Sequence, residues 1–291
     1  MDKLNPIDKR FYLPIIQSAI EEDIGHGDIT TDAIIPLDTM ATARILAKQD
    51  LVVSCTFVAE DTFKLLDPTA QIDINVKEGE VISEGTAILE IKARARVILS
   101  AERVALNLLQ RLCGITTVTH NMVESIKGLD VILLDTRKTT PGLRILEKYA
   151  VKAGGAHNHR FGLFDGVLIK DNHIAIAGSI KNAVEKARQS VHHLMKIQVE
   201  VSNTQEIIDA LEAGADSLLL DNMVEGNNVN RLKTAVDLAQ GINPDIILEA
   251  SGGITPDNLV QTASTGVHQI SSGYLSHSAP SVDISLRIDM Q

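Results

Sequence analysis

Between Arg137 and Lys170 the chain carries Arg137, Lys138, Arg144, Lys148, Lys152, Arg160 and Lys170 against only Glu147 and Asp165. The whole protein has 27 Lys+Arg against 38 Asp+Glu, a formal net charge of −11. This stretch is thus opposite in sign to the rest of the chain. Such a patch focuses an attractive potential on a small, multiply charged anion, while the acidic remainder repels extended polyanions. His157, His159 and His173 stand in or just beyond it. His159, beside Arg160, is a candidate donor to the anion. His157, two residues earlier, is read as structural.

A second set of polar residues follows at regular intervals. Apolar, β-rich runs occupy residues 131–134, 166–169, 197–201, 217–220, 246–248 and 268–271. Each ends in polar or charged side chains: Asp135 with Arg137 and Lys138, then Lys170, Glu200, Asp221, Glu249 with Ser251, and Ser271 with Ser272. Helical patterns separate most of the runs, as at residues 204–213, stopped by Gly214. Strands alternating with helices predict a parallel sheet with crossover helices, either a closed or nearly closed barrel or an open doubly wound sheet. In a barrel the carboxyl ends of the strands converge on one face, where active sites are built. One polar residue after a strand is ordinary loop punctuation. Six, with cations early and carboxylates late, argue for one pocket.

Glu200 and Asp221 end successive strands, which would bring their carboxylates together. Two hard oxygen ligands suit Mg²⁺, held directly or through water, with substrate oxygens completing the octahedron. No His/Cys spacing of the zinc type accompanies them. Two glycine turns come last, around Ser251-Gly252-Gly253 and Ser272-Gly273-Tyr274. Glycine lets backbone N–H groups approach phosphate oxygens, and the late loops of such barrels often hold phosphate.

The first hundred residues must support this pocket differently. A helix is predicted around residues 13–20, with Ile15, Ile16 and Ile20 on one face, ending where Gly25 and Gly27 break the period. Strand-like runs at 43–47, 71–76 and 87–91 surround a helical interval near 59–66. Residues 77–85 read as a hairpin. A helix over 100–111, capped by Ser100 with Glu102 in its first turn, is expected to break at Gly114. Cys55 and Cys113 read as small buried hydrophobes. With no Trp, three Tyr and five Phe, the chain lacks stacking platforms for bases, and nucleic-acid binding is not expected. Neither a signal sequence nor a membrane span is legible, so a cytoplasmic protein is expected.

Several segments together resemble one family, quinolinate phosphoribosyltransferase. They are EDIGHGD from Glu22, ERVALN from Glu102, LCGITT from Leu112, DTRKTTPGLR from Asp135, GGAHNHR from Gly154, LIKDNH from Leu168 and EASGG from Glu249. The likeness runs the length of the chain in order, and the block at 135–144 is its most specific part. The resemblance implies an N-terminal α/β sandwich domain (residues 1–113) and an incomplete, open parallel β/α barrel (114–275). Residues 276–291 would return to the first domain.

It also implies quinolinate and phosphoribosyl pyrophosphate as substrates, Mg²⁺ as cofactor and no membrane partner. A homodimer, or a hexamer of such dimers, would carry Arg103 across into the partner's pocket. By the same resemblance Arg103, Thr136, Arg137, His159, Arg160 and Lys170 bind quinolinate, with Lys138 between it and pyrophosphate. Glu200 and Asp221 face the ribose and the metal, and Ser251, Gly252, Gly253, Ser272, Gly273 and Tyr274 hold the 5-phosphate. Lys138, Lys170, Glu200 and Asp221 carry the chemistry. Arg144, Lys148 and Lys152 fall on a following helix or at a dimer contact. Two other readings are a related phosphoribosyltransferase for another anionic ring and a catalytically silent sensor of phosphoribosyl compounds.

Overall fold

A computed structural model describes Leu4 and residues 6–289. In chain order the first elements are α1 (Lys9–Ile24), α2 (Ile29–Ile34), β1 (Met40–Ala47), β2 (Leu51–Val52), α3 (Thr56–Leu66), β3 (Gln71–Ile74), β4 (Val81–Ile82), β5 (Ala87–Arg94) and α4 (Ala95–Ser125). Strand and helix then alternate: β6 (Ile132–Leu134), α5 (Arg144–Ala153), β7 (Val167–Ile169), α6 (Asp171–Ala177), α7 (Ile180–Ser190), β8 (Ile197–Val201) and α8 (Thr204–Glu212). The last elements are β9 (Ser217–Asp221), α9 (Asn230–Ile242), β10 (Ile247–Ser251), α10 (Leu259–Ala263), β11 (Gln269–Ser271), α11 (Tyr274–His277) and β12 (Ile284–Asp289). Two compact units result. One gathers residues 1–121, 139–155 and 275–291; the other gathers 122–138 and 156–274.

The first unit is built on an antiparallel sheet in the order β12-β1-β5-β3. Alternation along β1 and β5 buries Ala43, Ile45, Ala47, Leu89, Ile91 and Ala93 on one face. That face joins Ala59 and Phe63 of α3 and Ile98, Ala101, Ala105 and Leu109 of α4 in a single apolar core. The other face carries charge, including the Arg44–Asp289 pair at 2.8 Å. α1 buries Tyr12, Ile16 and Ile20 at helical spacing, while Ile15 is only partly covered. Residues 77–85 do not pair with one another as a hairpin. Their strand β4 instead pairs with β2, Leu51 opposite Ile82. Both cysteines are buried and free, and burial pushes the Cys113 thiol up to about 12.

The long helix corrects two expectations. α4 begins at Ala95 and runs without a break to Ser125, so Ser100 is not its cap and Gly114 is not its end. A Cβ at Gly114 would lie 2.1 Å from the carbonyl oxygen of Pro280. Glycine here is a packing choice: it lets the chain's last segment lie directly on the helix. That segment is tied down by Arg111, which donates to the carbonyls of Ala279 (2.7 Å) and Ser276 (2.5 Å) and pairs with buried Glu147 at 3.0 Å. Gly114→Ala should therefore lower the melting temperature. Overpacking costs about 1–3 kcal/mol, more than the roughly 1 kcal/mol of helix propensity that alanine restores.

The second unit is a parallel six-stranded sheet in the order β6-β11-β10-β9-β8-β7. β6 and β7 end the sheet, and His157 adds a parallel bridge to Leu134 on β6. The strand–helix alternation thus makes an open, barrel-like sheet rather than a closed one. β8 has the burial pattern expected of a strand covered by helices on one side: Ile197, Val199 and Val201 are buried, whereas Gln198 and Glu200 are half-buried on the opposite face. Among the described residues, no helix is long and apolar enough to cross a membrane.

Candidate active site

Strand register places the acidic residues. Glu200 on β8 and Glu249 on β10 both stand level with Leu219 on β9. Asp221 stands level with Ser251, two residues nearer the carboxyl ends. Side chains two apart on a strand share a face, so Glu200, Asp221 and Glu249 share one face of the sheet. Glu200 is ion-paired with Lys170. Lys170 sits between β7 and α6, its backbone N–H donating to His173 Nδ1 at 2.9 Å. Burial raises the pKa of Asp221, the nearby Glu200 raises it further, and Lys170 and Lys138 oppose the shift. A cation placed between these carboxylates would relieve their repulsion. Among the described residues no group of three or more His, Cys, Asp or Glu could hold a metal. Glu200 and Asp221 therefore suit a hard divalent ion only when the substrate supplies further oxygens.

The basic wall is built around Asp135, which is buried and does not reach out to a ligand. Its Oδ1 accepts the backbone N–H of His159 at 2.7 Å, and its Oδ2 accepts from Asn158 Nδ2 at 2.7 Å. Its own N–H donates to the carbonyl of His157, whose N–H donates to Leu133. This clamp lays residues 157–159 along β6 and brings Arg160 close to Arg137. Burial and the neighbouring Arg137 both lower the pKa of Arg160. Arg160 Nη1 donates to the carbonyl of Gly166 at 2.8 Å. Thr136 Oγ1 accepts the backbone N–H of Lys138 at 3.0 Å, turning the chain just after Arg137.

His159 has both ring nitrogens against protein. Nδ1 accepts the backbone N–H of Arg160 at 2.7 Å, and Nε2 faces Glu249 Oε2 at 3.4 Å. In the neutral ring the proton then belongs on Nε2, towards the carboxylate. Glu249 is 1 % exposed and also accepts from Gln198 Nε2 at 2.8 Å. Burial alone would raise its pKa, but His159, with help from Ser271 and Gln198, holds it below the usual range. Glu249 was legible as one of the strand-end acids. Its inward direction and its partner Gln198 were not, because register with a strand far off in sequence decides both.

The phosphate-type turns are tied to the same strand ends. Ser272 donates its N–H to Leu134 and its Oγ to the carbonyl of Ile254 at 2.8 Å, and it receives the N–H of Tyr274 at 3.2 Å. Gly252 and Gly253 both have positive φ, 90° and 64°. Thr136, Arg137, Lys138, His159, Arg160, Lys170, Glu200, Asp221, Ser251, Gly252, Gly253, Ser272, Gly273 and Tyr274 all belong to the second unit. Arg103 belongs to the first, exposed on α4. Arg144, Lys148 and Lys152 lie on α5, the helix that follows.

Residues 28–113 match the family model for the quinolinate phosphoribosyl transferase N-terminal domain, and residues 115–287 match the one for its C-terminal domain. The chain belongs to the quinolinate phosphoribosyl transferase family. It is similar to a probable nicotinate-nucleotide pyrophosphorylase [carboxylating] of Bacillus subtilis (strain 168), 43% identical over 92% of this chain and 90% of the relative. A quinolinate phosphoribosyltransferase [decarboxylating] 1b of Nicotiana tabacum is 39% identical over 95% of this chain and 82% of its own. Among solved structures, NadC from Streptococcus pyogenes superposes with a TM-score of 0.90 at 34% identity, covering 98% of this chain and 99% of that one. These matches span both units, so this family's open barrel and its N-terminal domain are both accounted for in the chain.

Proposed function

We propose that this phosphoribosyltransferase joins quinolinate to phosphoribosyl pyrophosphate and decarboxylates the product, giving nicotinate mononucleotide, pyrophosphate and CO₂ in the biosynthesis of NAD. The observation that carries this reading is the placement of two like-charged pairs at the strand ends of one sheet, Arg137 with Arg160 by the Asp135 clamp and Glu200 with Asp221 by register. Burial and then Arg137 disfavour the charge on Arg160, and burial and then Glu200 disfavour the charge on Asp221. A pyridine dicarboxylate resolves the first conflict, because planar guanidinium groups bind carboxylates in paired hydrogen bonds. A ribose becoming oxocarbenium-like, with a metal-bound pyrophosphate, resolves the second. Neither an uncharged ring nor a single anion would meet both.

Quinolinate lies against Arg137, Arg160 and the His159 wall, with Arg103 of the first unit contributed across a homodimer. Such dimers could also build a hexamer. Ser251, Gly252, Gly253, Ser272, Gly273 and Tyr274 hold the 5-phosphate, and Thr136 sets the turn that aims Arg137 and Lys138. Glu200 and Asp221 would hold Mg²⁺, directly or through water, and the ion would supply positive charge to the pyrophosphate oxygens. The ring nitrogen attacks the anomeric carbon as the bond to pyrophosphate breaks, a step that alignment and electrostatics can drive without a covalent nucleophile. The adjacent carboxylate then departs as CO₂, leaving its bonding electrons on the ring carbon as a carbanion that the neighbouring positive nitrogen stabilises. Lys138 or Lys170 stabilises that carbanion until a proton replaces the lost group. The protein works in the cytoplasm in this reading.

Incubation with quinolinate, phosphoribosyl pyrophosphate and Mg²⁺ should release CO₂ and pyrophosphate together. Absence of CO₂ would leave a phosphoribosyltransferase for another ring, or a silent sensor. The acid limb of kcat/KM reports the free enzyme. Because Asp221 is raised, this limb should lie above about pH 3.9, the ordinary aspartate value. A limb at or below that value would remove Asp221 from the essential groups.

A further inference from the structure

Asn222, the residue after β9, has φ of 52°, and Cys55 is the other non-glycine residue with positive φ among those described. L residues adopt this region rarely, asparagine more readily than most, and a fold keeps one there only when its surroundings over-determine it. Asn222 is exposed, so core packing does not explain it. Three contacts do. Its backbone N–H donates to the carbonyl of Ser251 at 2.9 Å. Its side-chain Nδ2 reaches back to Asp221 Oδ2 at 2.6 Å. Its Oδ1 fills the space beside Gly252, where an added Cβ would stand 2.2 Å from that oxygen and 2.8 Å from the Asn222 nitrogen.

We infer that Asn222 is a positioning residue that locks the Asp221 carboxylate and the Ser251–Gly252 turn to each other. The left-handed turn is what lets the amide double back onto the preceding carboxylate. By taking Oδ2, the amide sets the rotation of the carboxylate group and leaves Oδ1 to meet the ribose or its metal. The same side chain braces Gly252, so the acidic end and the phosphate turn keep a constant separation. That separation must match the distance from the ribose hydroxyls to the 5-phosphate. The glycine at 252 is the complementary half of the lock, required for its φ of 90° and for its missing Cβ.

The inference rests on Asp221 acting at the ribose, so three variants are compared in steady-state assays with phosphoribosyl pyrophosphate varied. Asn222→Gly keeps the backbone angle without strain and deletes the amide. It should retain or raise the melting temperature, lower kcat at least tenfold, and leave KM for quinolinate within about twofold of wild type. Wild-type kcat in this variant overturns the inference. Asn222→Asp keeps the shape but sets a carboxylate where the donor was, beside a group already facing Glu200, Asp171, Lys170 and Lys138. Its kcat should also fall at least tenfold with KM for quinolinate within about twofold of wild type, and wild-type kcat here counts against the lock even if Asn222→Gly folds poorly. Asp221→Asn separates the two levels of argument. If it is impaired while both Asn222 variants are normal, Asp221 stands and Asn222 does not. If it turns over normally, the reading of Asp221 fails and the inference fails with it.

Discussion

Glu200→Ala is expected to lower kcat by roughly 10²–10³-fold, the range found when one preorganised electrostatic group is removed from a transition state. Glu200 is well placed for such an effect. It projects from a rigid strand, its side chain is 14% exposed, and Lys170 pairs with it. A carboxylate held in that way needs no reorganisation as positive charge grows on the ribose. Its removal also releases Lys170, adding positive potential to the side of the pocket that receives an anion. KM for quinolinate should therefore stay level or fall while turnover collapses. Rapid-quench measurement of pyrophosphate formation would separate the transfer step from the later loss of CO₂. An unchanged rate of transfer would take Glu200 out of the reaction.

Arg137→Ala should act on the other side of the pocket and in the other parameter. Truncating one partner of a desolvated charge pair costs about 2–5 kcal/mol, which is roughly 30- to 5,000-fold in quinolinate affinity. The fold should not suffer. Arg137 lies near Arg160 and makes that guanidinium harder to keep charged, so its loss removes a repulsion from the empty protein. The expected pattern is weak quinolinate binding by calorimetry with a melting temperature equal to or above that of wild type. Retained quinolinate affinity would sink the assignment. A falling melting temperature would mean that Arg137 serves the fold, as Arg111 does with Glu147 and the last segment.

These two residues illustrate what could be read without coordinates. Both are charged groups at or near the end of a short apolar run, and the strand period needs only a few neighbouring residues to be seen. The order of strands and helices was legible for the same reason, as was the assignment of Arg144, Lys148 and Lys152 to an element after the pocket. Failures came where a residue's partner is far away in sequence. Gly114 looked like a helix breaker because its local meaning is a break; its contact is with Pro280. Residues 77–85 looked like a hairpin because glycines flank them, yet β4 pairs with β2. Asp135 looked like a pocket acid and is a buried clamp on residues 158–159.

The sequence by itself determined which chemistry the protein could hold. It set cations in one stretch, carboxylates and glycine turns in the next, and the alternation that brings strand ends to one side. Only the tertiary structure decided which of those groups meet and which way they face. Glu200 and Asp221 influence one another, Glu249 turns inward to Gln198 and His159, and Asn222 closes onto Asp221. The reason is physical. Periodicity and residue type are local properties of a chain, whereas register, burial and hydrogen-bond partners are set between strands many residues apart.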